Sequence, residues 1–507
     1  MKWKINFDIS NSNFNLIGYA ASGFIKHIPP KDGRQLFTEW YLVHEDGRTW
    51  SYVPVLMMKE VINWIKDKIV SDPDWAFKLH EKATDLNTDY FNLSLDISKK
   101  DLSKLSNEEL ASLYVKIRKA QLPGHTHAVS TTWFLDCDGD VYSNYLREEL
   151  QKHLRSVGIN GIEKIMEYLT LLTTPTKENL AQKELLDFLN LLKLVQEDMK
   201  VVNIFKEFSV NEILAKLPDQ IKDKIYQHFN KWKWTPYGYI GPAYQIDFYL
   251  EEIKKQIDIK NIDDLILEEK NRNAQVKSAQ EKLIKDIGLP GDLLKYFLIA
   301  QEIIWLKDYR KYCIWHGHYV LDMITKEIAR RLMISHKQAN YFFNEEVEQV
   351  LSNGGCEENT LNDRIKFCVI WANEDTQKIY YGDEARQIID NLEIEETKVD
   401  LSEGFKGTCA FPGKVEGPVK ILNSADDINK VQEGDILLAM TTYPAFLPAM
   451  KKAKAIVTED GGITCHAAIV ARELRIPCVV GAKQVTRLLQ DGDLVNVDAT
   501  NGIVIKV

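Results

Sequence analysis

The sequence predicts a multi-domain α+β protein, with a large, mainly α-helical N-terminal region followed by a C-terminal region in which strand and helix signals alternate. Three observations carry this reading. At 507 residues the length corresponds to about three domains. Residues 105–395 are dominated by helix signals, including long amphipathic runs at 248–257 and 265–287. Near the C-terminus the β-rich run Ala455-Ile456-Val457-Thr458 leads through Gly461-Gly462 into the helix-like stretch His466-Ala467-Ala468-Ile469-Val470-Ala471-Arg472-Glu473-Leu474.

Composition excludes several function classes. Hydrophobic residues make up 45% and charged residues 27% of the chain, ordinary values for a globular protein. The formal charge of −10 gives no bulk electrostatic case for nucleic acid or an anionic membrane. No apolar run approaches the ~18 residues of a membrane helix, and the start, Met1-Lys2-Trp3-Lys4-Ile5, has no signal-peptide character. The 7 cysteines form no Cys-x-x-Cys pair, as expected of thiols in a reducing cytoplasm.

In chain order, residues 1–55 carry short β-type runs at Phe14-Asn15-Leu16-Ile17-Gly18-Tyr19, Trp40-Tyr41-Leu42-Val43-His44 and Thr49-Trp50-Ser51-Tyr52-Val53, the last two joined by a hairpin turn at Asp46-Gly47. A helix is predicted over 57–70, ended by Ser71-Asp72-Pro73. Ser106-Asn107-Glu108-Glu109 starts another helix, and Ser209-Val210-Asn211-Glu212 has the form of a capping box. The run at 265–287 is closed by Gly288-Leu289-Pro290-Gly291. There is no internal repeat and no low-complexity tract. Residues 393–402 are short, charged and without period, and read as an interdomain linker.

The chemistry concentrates at His466. It falls in the first turn of a helix, just after the Gly461-Gly462 turn. Free N–H groups and the positive end of the helix dipole favour an anion there. A neutral imidazole is a nucleophile, so the position suits a phosphoryl carrier. A histidine that merely caps the helix is the competing reading.

This stretch closely resembles the mobile, or swivelling, phosphohistidine domain of the phosphoenolpyruvate-utilising enzymes, the family of phosphoenolpyruvate synthase, pyruvate phosphate dikinase and rifampin phosphotransferase. The family signature Gly-Gly-x-Thr-Ser-His-Ala-Ala stands here as Gly461-Gly462-Ile463-Thr464-Cys465-His466-Ala467-Ala468, followed by Ala471-Arg472-Glu473 and Ile476-Pro477-Cys478-Val479-Val480-Gly481. Cys465 replaces the usual Ser. Residues 406–419 resemble the domain's opening hairpin. Gly434-Asp435-Ile436-Leu437-Leu438 and Thr441-Thr442-Tyr443-Pro444 resemble a strand and the loop facing the histidine, and residues 491–498 and 502–504 the closing strands. More diffusely, Ile304-Trp305-Leu306-Lys307-Asp308-Tyr309-Arg310-Lys311-Tyr312 and the tract 232–242 resemble helical parts of rifampin-phosphotransferase-like proteins.

The resemblance implies a small β-containing segment at 1–55, a helical domain at 56–392 for substrate or partner, the linker, and a compact β/β/α swivelling phosphohistidine domain at 403–507. His466 is the implied phosphoryl acceptor, with Gly461, Gly462, Thr464 and Thr442 positioning the phosphate. Arg472, six residues on, lies about 600° around the helix and is assigned to pairing with Glu473 or the linker. No ATP-grasp domain with its Gly-rich phosphate loop is recognisable before residue 400, and the family's phosphoenolpyruvate-binding barrel, which would follow the mobile domain, is not expected within these 507 residues. The expectation is therefore the phosphohistidine component of a split phosphotransferase. A separately encoded ATP-grasp partner, with Mg²⁺ at its own active site, would phosphorylate His466, and a small molecule would accept the group. A regulatory or partner-binding relative that keeps the fold without phosphotransfer is the alternative.

Other candidates are weaker. Asp136-Cys137-Asp138-Gly139-Asp140 begins like a calcium loop, but Val141 and Arg147 stand where Gly and Glu are needed. The pairs His125/His127 and His316/His318 are two residues apart, so on a helix their side chains diverge by ~200° and chelate poorly; no metal site is assigned. With Arg310 and Trp133 these four histidines are candidate lining of a substrate pocket, with core packing as the competing reading.

Overall fold

The computed structural model describes residues 1–507 except 10–24, 27, 29, 133–134, 136–140, 239–240, 356, 396–403, 424, 443–445 and 463–464. Thr464, Trp133, Tyr443, the β-type run at 14–19 and the Asp136–Asp140 loop therefore lie outside the described residues.

The chain is α+β, with helix dominating its first four-fifths. A six-stranded sheet opens it. Strands β1 (Lys2–Ile9), β2 (Glu39–Glu45), β3 (Arg48–Pro54), β4 (Cys368–Asn373), β5 (Gln377–Tyr381) and β6 (Glu393–Ile394) pair in the order β5-β4-β2-β3-β1-β6. The β2–β3 hairpin turns at Asp46-Gly47, with φ of 41° and 89°. Side chains alternate across the sheet as the pleat requires: Trp40, Leu42, Ile370 and Ala372 face the main helical core, whereas Val43 and Val369 pack with Ala385 of the helix Gly382–Asp390 on the other face. The helical reading of 105–395 thus requires correction at its end. Residues 368–381 are strands, because Cys-Val-Ile-Trp-Ala-Asn supplies a β-branched run whose partner, β2, lies over three hundred residues earlier, beyond any local pattern. The expected linker likewise begins as a strand, since Glu393 and Ile394 pair in parallel with Lys2 and Trp3.

The helices form two cores. The larger is built round Pro73–Ser98, Asn107–Thr132 and the 42-residue helix Gly291–Leu332. Asp72 closes one helix and caps the next, its carboxylate accepting from Trp75 N–H with Pro73 at the first helical turn. At the centre, Gly317 lies directly under Tyr90: a Cβ there would stand 1.7 Å from the Tyr90 hydroxyl. The second core joins Leu180–Gln196, Met199–Glu207, Asp219–Trp232 and Ile246–Gln256, and Tyr309, Tyr312, Trp315 and Tyr319 of the long helix pack against it. The long helix therefore serves both cores. The expected capping box at Ser209/Glu212 is formed.

The C-terminal part is an eight-stranded sheet. Its strands β7 (Phe405–Lys406), β8 (Thr408–Phe411), β9 (Lys414–Leu422), β10 (Ile436–Ala439), β11 (Ala455–Thr458), β12 (Cys478–Val480), β13 (Leu494–Asp498) and β14 (Ile503–Lys506) run in the order β7-β14-β13-β9-β10-β11-β12-β8. Strands β9 to β12 are mutually parallel, and β10 to β12 are almost wholly apolar, as strands buried on both faces must be. The expected opening hairpin at 406–419 does not form. Strands β8 and β9 are neighbours in sequence but lie apart, β8 pairing with β12 and β9 with β10 and β13. Gly413, whose Cβ would strike the Pro477 ring at 2.6 Å, lets the chain cross over. Among the described residues no helix is long and apolar enough to cross a membrane.

Candidate functional site

The site is built where parallel strands end. In open α/β sheets the crevice beyond the carboxyl ends of the strands is where ligands bind. Strand β10 ends at Ala439 and delivers Thr442; its neighbour β11 ends at Thr458 and delivers Gly461 and His466. The two strand ends are fastened to each other, Glu459 N–H donating to Ala439 O at 3.0 Å and Asp460 N–H to Met440 O at 2.8 Å. The Glu459 carboxylate, almost fully buried, accepts from both the Thr486 N–H and the Thr486 hydroxyl.

Gly461 then makes the turn. Its φ is 109°, a conformation disfavoured for side-chain-bearing residues, and a Cβ would stand 2.9 Å from both Cβ and Sγ of Cys465. The residue that departs from the family pattern thus packs directly on the turn. Cys465 N–H donates to Gly462 O at 3.0 Å, and Cys465 is the N-cap of the helix His466–Leu474. Ile469 N–H closes the first helical bond onto Cys465 O, so the N–H groups of the first turn have no acceptor within the helix. His466 occupies the first helical position, as its sequence context predicts.

Thr442 Oγ1 lies 2.8 Å from His466 Nδ1. Thr442, expected to position the phosphate, has its hydroxyl against the imidazole ring. His466 has its pKa lowered to about 4, first by burial and then by the positive charge of Lys311 on the long helix. The imidazole is therefore neutral at physiological pH. Lys311 shows that the C-terminal sheet presents its histidine towards the helix Gly291–Leu332, and the sequence reading missed this residue; an exposed lysine among several on one helix carries no local signal.

The other candidates are placed as follows. His125 Nδ1 and Arg310 Nη1 are 3.3 Å apart, and burial together with Arg310 and His318 holds the His125 pKa well below its usual value. His318 Nδ1 lies 3.1 Å from Gly238 O and its Nε2 3.3 Å from Gln121 Nε2. His316 is directed elsewhere, with Nδ1 at 2.6 Å from Ser94 Oγ and its ring against Phe91 and Trp234. His127 sits in the same helix as His125. The structure thus brings His125, Arg310 and His318 together and leaves His316 in an aromatic core. Trp234 and Tyr237 of the aromatic tract are buried against the same long helix. Arg472 lies near the thiols of Cys409 and Cys478 on its own sheet. Among the described residues no three His, Cys, Asp or Glu side chains group as a metal site.

The site is thus a neutral imidazole in the first turn of a helix at the ends of parallel strands, with one ring nitrogen against a hydroxyl and the helix N–H groups beside it. Residues 431–502 match the family described as PEP-utilising enzyme, mobile domain, and the C-terminal segment carries that domain. It is 52% identical over 115 residues to a probable phosphoenolpyruvate synthase of Archaeoglobus fulgidus, covering 22% of this chain and 15% of that protein. It is 53% identical over 114 residues to the phosphoenolpyruvate synthase of Pyrococcus furiosus, covering 22% and 14%, and 48% identical over 103 residues to that of Pseudomonas aeruginosa, covering 19% and 13%. The chain thus spans well under a fifth of the length of these relatives. Among solved structures, an Enzyme I protein aligns over 38% of this chain and 52% of its own at 22% identity, with a TM-score of 0.15, too low to define a shared fold.

Proposed function

We propose that this chain is the phosphohistidine-carrying component of a phosphotransferase related to phosphoenolpyruvate synthase. The observation that carries the reading is the Thr442–His466 contact of 2.8 Å at the start of a helix. With Nδ1–H donated to Thr442 Oγ1, the lone pair of the neutral ring resides on Nε2. Nε2 attacks the donor's phosphorus in line, forming the N–P bond as the donor's P–O bond breaks. The phosphoryl oxygens would be held by the first-turn N–H groups and by Gly461, Gly462 and Thr464. In the second half-reaction the acceptor's oxygen attacks, the N–P bond breaks, and His466 returns to its neutral form.

In this proposal a separately encoded ATP-grasp subunit phosphorylates His466, with Mg²⁺ at that subunit's site. The acceptor is a small molecule bound by the helical domain at 56–392. With Glu393 and Ile394 held in strand β6 and Glu395 N–H bonded to Trp3 O, the seven residues 396–402 would span up to ~25 Å when extended, which sets the reach of the domain at 403–507 between neighbouring sites. Support comes from the close match of residues 431–502 to relatives that are phosphoenolpyruvate synthases and from the position of Lys311, where a cation would face the transferring phosphoryl group.

The test is phosphopeptide mapping after incubation with the phosphorylating partner and ATP. Acid-labile, base-stable phosphate on the peptide around His466, lost in a normally folded His466→Ala variant, is the expected result. Label on another residue, or full activity of the variant, would overturn the reading. The purified chain alone with ATP and Mg²⁺ is expected to acquire no label.

A further inference from the structure

Three parallel strand exits meet at Glu459. Its N–H donates to Ala439 O at the end of β10, the strand that leads on to Thr442. One residue earlier, Thr458 O accepts from Ala482 N–H at 2.9 Å, just past the end of β12. The Glu459 side chain turns to that same third segment. Its carboxylate accepts from Thr486 N–H at 3.2 Å and from the Thr486 hydroxyl, and Arg487 Nε stands 3.6 Å away. Asp460 repeats the arrangement nearer the surface, its N–H on Met440 O and its carboxylate paired with Lys483. Gly481 lets the segments close together, since a Cβ there would press on Gly461 O at 3.2 Å.

Glu459 is 5% exposed. A carboxylate so deeply buried is costly, and an apolar side chain of similar volume often serves stability as well or better. The four residues before it, Ala455–Thr458, are all buried, so a leucine would suit position 459 as packing. What the carboxylate adds is direction. Its bonds to Thr486 fix the point at which β11 hands the chain over to the Gly461-Gly462 turn. Glycine has the widest backbone freedom of any residue, so two in succession do not hold their own conformation and the turn depends on what anchors its entry. Because the Glu459 N–H is bonded to β10, the same anchor also governs how the Thr442 segment stands against His466.

We propose that Glu459, braced by Thr486, is a positioning residue for phosphotransfer: it sets the spacing between the Thr442 segment and the turn that leads into His466, and so keeps the imidazole in the one tautomer whose Nε2 is free to accept a phosphoryl group. It touches neither donor nor acceptor and acts through the backbone. The inference rests on the reading of His466 as a phosphoryl carrier.

The test compares the full chain with three variants. Thr486→Val removes the hydroxyl and keeps the shape; Thr486→Ser keeps the hydroxyl; Glu459→Leu combined with Thr486→Val replaces both partners by apolar groups, so that neither side chain is left unsatisfied. Long-range proton–nitrogen NMR of protein labelled with ¹⁵N-histidine reports the ring tautomer, the His466 signals being those absent from His466→Ala. Incubation with phosphoramidate, a small donor that needs no partner protein, then reports the rate at which the Nε2–P bond forms as the donor's P–N bond breaks and ammonia leaves, read by peptide mapping. Wild type and Thr486→Ser are expected to show one tautomer and rates within about twofold of each other. Thr486→Val is expected to label about fivefold more slowly. The double variant is expected to label about tenfold more slowly and to show mixed tautomers, with a melting temperature within about 3 °C of wild type. A wild-type ring spectrum and wild-type rate in Thr486→Val and in the double variant would overturn the proposal, as would slower labelling that only follows a fall in melting temperature; should the double variant not fold, Thr486→Val against Thr486→Ser decides. Absence of label on wild-type His466 would instead sink the carrier reading itself, and the tautomer comparison would then judge the brace alone.

Discussion

His466 is neutral because two effects act in the same direction. Burial removes water from the charged ring, and Lys311 repels a second positive charge. A proton-titration experiment by NMR is expected to place its midpoint near pH 4, not near the ~6.5 of an open imidazole; a midpoint above about 6 would contradict the buried, Lys311-facing position. Thr442 is the second residue whose role is testable by itself. If its hydroxyl holds Nδ1, then Thr442→Val removes one hydrogen bond of about 1 kcal/mol and lowers the rate of His466 labelling by roughly five- to tenfold. Thr442→Ser keeps the hydroxyl and is expected to restore most of the rate. Equal rates in wild type and the valine variant would leave Thr442 without a positioning role. The sequence marked both residues, Thr442 by resemblance as one that positions the phosphate. Its contact with the ring, across two strand ends, is visible only in the structure.

At the scale of elements, the approach of the helices Pro73–Ser98 and Gly291–Leu332 depends on one glycine. Tyr90 is 2% exposed and has no room to retreat from a methyl group at position 317, which would meet its hydroxyl at 1.7 Å. Gly317→Ala is expected to destabilise the helical region by about 2–3 kcal/mol, the upper end of typical overpacking costs, read from chemical denaturation. A neutral or stabilising effect, as helix propensity alone would give, would show that the helices can separate. Helix identity was legible where caps and periods coincide: Asp72-Pro73, Ser106/Glu109, Ser209/Glu212 and Gly288 all mark observed boundaries. Strands β4 and β6 were not legible, since their partners are β2 and β1 at the other end of the chain. The β8–β9 pair was misread as a hairpin for the converse reason, because adjacency in sequence suggests pairing that the sheet order does not contain.

Across the whole molecule, a set of buried histidines couples stability to pH. His44 and His466 have pKa values lowered to about 4, and His80, His316 and His318 to about 3, in each case chiefly by burial. The folded protein keeps these rings neutral, whereas the unfolded chain takes up protons below about 6.5. The unfolded state therefore binds more protons between about pH 6.5 and 3. Stability is full above that window and is lost as pH falls through it, at up to about 1.4 kcal/mol per histidine per unit. Urea melts at pH 7, 6 and 5 are expected to show a progressive fall, and a flat profile down to pH 4.5 would contradict the neutral buried rings. A second whole-molecule expectation concerns the join. Limited proteolysis is expected to cut between residues 395 and 404 and release a stable fragment of about a hundred residues; a boundary well inside 404–507 would show that the C-terminal sheet is not a unit.

What the sequence by itself determined is local. The Gly461-Gly462 turn, the helix that follows it and the histidine at its first position are written in consecutive residues, because turn geometry, capping and helix period act over a few positions. The match of residues 431–502 to a known domain is of the same kind. What only the tertiary structure decided is everything that joins distant positions. The first strand pairs with residues 393–394, His125 meets Arg310, Thr442 reaches the His466 ring, and Lys311 sets the charge that ring experiences. The cause is that burial and electrostatic fields depend on distance in space, and the sheet order and the long helix bring together groups that no local pattern connects.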